Sequence, residues 1–144
     1  MLRTIVLAAF LLMSACYVAA AQQTTADQYA DLQKTFAEAY NRKDVDAMAA
    51  AFTDDAIRVT PSGMFVGREA IRRNLQDVVN LDLHDYSVER NVSRSFGNFV
   101  FNAGEWQAKI GDQPLHGYYT AIVVRDGSVA KIMEETVTVA APGQ

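Results

Sequence analysis

DYSVERNVSRSFGNFVFNAGEWQAKIGDQPLHGYYTAIVVRDGSVAKIMEETVTVA, residues 85–140, decides the architecture of this chain. It shows no helical spacing of apolar residues. It is rich in Val, Ile, Tyr, Phe and Thr, the residues that fit a pleated surface. Gly97-Asn98, Gly111-Asp112 and Asp126-Gly127 cut it into four pieces of strand length. Gly, Asn and Asp accept the positive φ of tight hairpin turns, so the stretch predicts four successive antiparallel strands.

Upstream the period changes. Tyr29, Leu32, Phe36, Ala39 and Tyr40 recur at helical spacing, predicting a helix from Ala26 to Arg42. Thr25 and Gln28 form a capping-box pattern at its start. Asp44 can cap a short second helix, from Val45 to Phe52. "TDD", residues 53–55, reads as a turn, "AIRVTPSG" as a strand ended by Pro61, and "MFVG" as a second short strand. "REAIRRNLQDVVNL", residues 68–81, has a helical stripe at Ile71, Leu75, Val78 and Val79. Helices grouped before a meander make an α+β domain. The fold class expected is a cone-shaped, strongly twisted antiparallel sheet, with helices on its concave face enclosing a pocket.

The first 21 residues have another character. Arg3 precedes the apolar run "TIVLAAFLLM", and Ala19-Ala20-Ala21 closes it with small residues. That layout predicts a signal peptide over residues 1–21, with a single domain over 22–144 and a periplasmic, exported protein. The alternative is a lipoprotein anchored to a membrane through Cys16, after Met13-Ser14-Ala15. Either way no disulfide is available, because Cys16 is the only cysteine. The net charge of −4 becomes one unit more negative without Arg3, and no basic cluster exists. That argues against nucleic acid and anionic surfaces as partners. Two histidines far apart, His84 and His116, give no metal-ligand spacing, and no phosphate loop or dinucleotide fingerprint is present. Neither metal nor cofactor is expected.

"AYNRKDVDAMAAAFTDDAIRVTPSGMFVGREAI", residues 39–71, with the closing "VVRDGSVAKIMEE", resembles the nuclear transport factor 2-like superfamily, and within it the SnoaL-like and ketosteroid isomerase-like bacterial branch. The resemblance covers about residues 26–139. It implies a ligand pocket inside the cone. It also implies where an isomerase would carry its acid-base groups, and this chain departs at each place. Thr60 stands where the general-base Asp would precede Pro61. Phe36 stands for the oxyanion-hole Tyr, and Thr120 or Ala121 for the protonated Asp. The isomerase activity is therefore not carried over.

The same mapping implies which side chains face the pocket: Arg58, Thr60, Asn102, Gly104, Trp106, His116, Tyr118, Thr120, Ile132, Glu134 and Thr136. A one-residue slip of register would turn any of these strands over. The reading expected is an exported protein binding a small, largely apolar ligand through Tyr40, Arg58, Thr60, Trp106, Thr120 and Thr136. The alternative is an isomerase, lyase or hydrolase, with His116 as general base, Glu134 as its orienter and Tyr118 as hydrogen-bond donor. Arg58 with Glu134 as a structural ion pair is also open, as is a protein-interaction module. The opposite sheet face, assigned Phe99, Phe101, Tyr119, Ala121, Val123, Met133 and Val137, is expected to pair two copies into a homodimer.

Overall fold

The structure is a computed structural model that describes residues 25–141; the leader and Cys16 lie outside the described residues. Three helices, α1 (Thr25–Asn41), α2 (Val45–Ala50) and α3 (Arg68–Asn80), accompany six strands. These are β1 (Phe52–Thr60), β2 (Gly63–Val66), β3 (Leu83–Phe96), β4 (Phe99–Ile110), β5 (Gln113–Asp126) and β6 (Val129–Val137). The strands form one sheet in the order β2-β1-β6-β5-β4-β3. All neighbours are antiparallel except β1 and β6, which the helical connections allow to run parallel.

Local chemistry accounts for most of the boundaries. The Asp44 side chain accepts from the Ala47 backbone N–H at 3.0 Å, capping α2 as the sequence suggests. Gly97, Gly111 and Gly127 each take positive φ at the first position of a two-residue hairpin loop. The pairs Phe96 with Phe99, Ile110 with Gln113 and Asp126 with Val129 close those loops. One expectation fails: residues 53–55 are part of β1 and form no separate turn. The pairing of β1 with β6 is irregular across that segment, between Phe52 and Ile57.

The core lies between the helices and the concave face of the sheet. Phe52, Met48, Ile71, Leu75 and Val123 are fully buried there. Two glycines let main chains approach. A Cβ on Gly104 would lie 1.9 Å from the Glu89 carbonyl oxygen, and one on Gly117 would lie 1.9 Å from that of Thr138.

Which side chains face the core differs from expectation on β5 and β6. The loop at Gly111-Asp112 pairs Trp106 with Gly117, Gly104 with Tyr119 and Asn102 with Ala121. Paired residues share a face, so even positions of β4 go with odd positions of β5. Tyr119, Ala121 and Val123 are therefore inside, and His116, Tyr118 and Thr120 are on the outer face. The β5–β6 ladder then shifts: Val123 pairs with Ile132 but Ile122 pairs with Glu134, leaving Met133 as the extra residue of a bulge. The bulge turns Glu135 and Val137 inward and puts Glu134 and Thr136 outside. The homodimer face drawn from the sequence thus loses Tyr119, Ala121, Val123 and Val137. Phe99, Phe101 and Met133 remain on it, beside Phe96 and Ile122.

Candidate functional site

A cavity of about 260 Å³ opens between the concave sheet, the end of α1 and α3. Its walls are mostly apolar: Leu83, Ile110, Leu115, Val137, the Trp106 ring and Val78 among them. The mouth is marked by exposed lining residues, Leu81 and Val139 together with Pro61 and Ser62.

One corner is polar. Arg58 on β1 and Glu135 on β6 are register partners, and both are buried. Arg58 Nε donates to Glu135 Oε2 at 2.7 Å, and its Nη1 donates to Asn74 Oδ1 on α3 at 2.6 Å. Asn74 Nδ2 reaches Ser62 Oγ at 3.4 Å, which lies 2.8 Å from Thr60 Oγ1. The guanidinium is thus held on two sides, and the pair carries no net charge. Glu135 Oε1 has no partner among the described residues.

Four phenols surround this carboxylate. Tyr40 and Tyr86 stack with centroids 4.4 Å apart, and both line the cavity. Neither hydroxyl has a hydrogen-bond partner among the described residues. Burial pushes Tyr40 up to about 12, with Arg58 pulling it down and Glu135 pushing it further up. Burial first, and then Glu135, also hold Tyr86 well above the usual phenol range. Tyr29 and Tyr119 are raised too, mainly by burial, with Glu135 among the lesser causes in each. All four are therefore neutral hydrogen-bond donors at ordinary pH. Trp106 already uses its indole N–H, donating to the Thr138 carbonyl at 2.9 Å, so it offers the cavity its ring.

Of the residues singled out in the sequence, Tyr40, Arg58, Thr60 and Trp106 line this cavity. The others do not. Tyr118 is on the outer face and 55% exposed. Thr120 and Thr136 pair with each other on that face, and the Thr136 hydroxyl donates to Glu134 Oε1 at 2.7 Å. His116 pairs with Gln107, whereas Glu134 pairs with Ile122. Those positions are six steps apart along β5, about 20 Å at the rise of a strand. No His116–Glu134 dyad forms, and Tyr118 cannot donate to a ligand in the cavity. The partner of Arg58 is Glu135, one residue beyond the expected Glu134.

Sequence reasoning missed Tyr86, Tyr119, Asn74 and Glu135. Tyr119 was reachable, since a two-residue loop at Gly111-Asp112 dictates the parity of β5 against β4. Glu135 was not, because nothing local marks the bulge at Met133.

Among the described residues no group of three or more His, Cys, Asp or Glu side chains could hold a metal ion. No described helix is long and apolar enough to cross a membrane. The family model described as "SnoaL-like domain" matches residues 33–132. No protein of curated function matches the chain. Solved structures do. An NTF-2 like protein of unknown function from Shewanella oneidensis MR-1 aligns with a TM-score of 0.73 at 16% identity, over 80% of this chain and 99% of that one. A ketosteroid isomerase-like protein from Erwinia carotovora atroseptica SCRI1043 aligns with a TM-score of 0.68 at 15% identity, over 78% and 94%. An uncharacterized protein with a cystatin-like fold from Caulobacter vibrioides aligns with a TM-score of 0.71 at 15% identity, over 82% and 91%. At these identities the likeness concerns the fold alone.

Proposed function

The chain belongs to the SnoaL-like domain family, and on that premise we propose that it is a binding protein for a small, neutral, largely apolar molecule held in the cone. One observation carries this reading: an apolar cavity of about 260 Å³ whose single polar corner is already charge-neutral. At about 30 Å³ per water, that space equals roughly nine waters, the room for a ring compound of about ten heavy atoms. The tied guanidinium attracts an anionic ligand weakly, and the carboxylate beside it repels one. A neutral ligand with one polar end can instead meet the Tyr40 and Tyr86 hydroxyls while its body packs on Trp106 and Leu115.

The test uses Trp106, the only tryptophan in the sequence. A ligand in the cavity touches its ring, so titration with neutral monocyclic and bicyclic compounds should shift its emission. Mass spectrometry of protein purified from its own source should find a co-purifying neutral compound. The reading fails if no compound is retained and no probe alters the emission.

An acid-base enzyme is the second reading, and Glu135, whose Oε1 has no partner among the described residues and which lines the cavity with three protonated phenols, favours it. In that version Glu135, and not the His116–Glu134 pair, takes the proton. Turnover lost in Glu135→Gln with ligand affinity retained would distinguish it from simple binding.

The reading includes export, supported by the leader pattern of residues 1–21. It also includes a homodimer through the outer face, supported by the exposed apolar surface of Phe96, Phe99, Phe101, Ile122 and Met133. Sedimentation should give twice the chain mass for the wild type and the single mass for Phe99→Glu/Met133→Glu.

A further inference from the structure

Behind the main cavity, beneath α1, lies a second chamber of about 20 Å³. Tyr86, Tyr119 and Glu135 line both spaces. The small side chain of Ala121 on β5 makes the room, between Tyr119 on the same strand and its register partner Glu135 on β6.

The hydrogen bonds around the chamber have a direction. Gln33 Nε2 donates to the Tyr119 hydroxyl at 2.9 Å, and the Tyr29 hydroxyl approaches the same oxygen at 3.4 Å as donor. A phenol oxygen that already accepts from two neighbours must send its own proton elsewhere. No described residue accepts it. Arg58 occupies Oε2 of Glu135 and leaves Oε1 as an acceptor. Tyr119, with an unused donor, and Glu135, with an unused acceptor, both line this one space. A volume of about 10–15 Å³ with two or more polar partners suffices for one water.

We propose that this chamber is a single-group subsite, between the Tyr119 hydroxyl and Glu135 Oε1, that takes one water in the free protein and a ligand hydroxyl in the complex. The group must accept from Tyr119 and donate to Glu135. A hydroxyl does both. A ketone cannot donate, and a carboxylate meets the Glu135 charge. The hydroxyl half of the proposal rests on the pocket-binding reading above; the water half stands without it. Because the same three side chains line both spaces, the two lie side by side, and a ring compound seated in the main cavity can direct a hydroxyl toward the chamber.

Two measurements test the proposal. The first is a crystal structure of the ligand-free protein at a resolution that shows ordered water. One water within hydrogen-bonding distance of both Tyr119 Oη and Glu135 Oε1 is expected, and a dry chamber overturns the proposal. The second is titration of Trp106 emission with 2-indanol and 2-indanone, two probes of one skeleton. The alcohol should bind about tenfold more tightly, the worth of a hydrogen bond to a charged acceptor. Equal binding of the ketone overturns the hydroxyl assignment. A wet chamber with neither probe bound upholds the water site and sinks the pocket reading instead.

Discussion

Replacing Arg58 with Met isolates the role of the polar corner. The Arg58 side chain is 6% exposed and that of Glu135 is 9% exposed, so the substitution strands a carboxylate among four phenols and the apolar wall. Removing one member of a buried ion pair costs about 3–5 kcal/mol, most of it the desolvation of the charge left behind. With a urea slope of about 1.5 kcal/mol/M for a domain this size, the midpoint should fall by roughly 2–3 M at pH 8. The loss should shrink as the pH is lowered. The folded variant gains by taking up a proton on Glu135 more tightly than the unfolded chain does, so its stability rises as pH falls. The double variant Arg58→Met/Glu135→Leu removes both charges and should recover most of the loss. A residual cost of about 1–2 kcal/mol remains, because Asn74 Oδ1 then has lost its donor. Urea unfolding of the wild type, both single variants and the double variant, at pH 8 and pH 5, supplies the cycle. A single-variant loss under about 1 kcal/mol at pH 8, or one equal at both pH values, refutes a buried charge pair.

Two other perturbations probe the same interior. Burial keeps Tyr29, Tyr40, Tyr86 and Tyr119 protonated above the ordinary phenol range in the folded protein, while the unfolded chain ionises near ~10. Stability should therefore fall as pH rises past about 10, and absorbance at 295 nm should show these four ionising only together with unfolding; gradual ionisation of all of them in the native state contradicts the site geometry. Asn102 on β4 is fully buried with neither its Oδ1 nor its Nδ2 hydrogen-bonded. Asn102→Leu, close in volume, should raise stability by about 1–3 kcal/mol in urea unfolding, and a loss would mean the amide has a bound partner.

The sequence and the structure agree most closely where the signal is local. Residues that fit a pleated surface, glycine in the hairpin loops and Asp44 before α2 are short-range signals, and each produced the expected element. The family resemblance implies that Arg58, Thr60 and Trp106 face the cavity, and they do. Apart from residues 53–55, which are strand and not turn, the errors are of face and register. For β5 the information was present: a two-residue loop couples even positions of β4 to odd positions of β5, which puts Tyr119 inside and Tyr118 outside. For β6 it was not present. A bulge is a compromise between two strands that must both meet the twist of the sheet, and Met133 carries no local mark of it.

The sequence by itself therefore determined the α+β element order and the three hairpin turns of the meander. The tertiary structure alone decided which acidic residue enters the cavity. Glu134 and Glu135 are equivalent as a sequence, and the choice between them is made by one extra residue in the β5–β6 ladder. That residue makes Glu135, and not Glu134, the partner of Arg58 among the tyrosines, because in a pleated strand a shift of one position exchanges solvent for core.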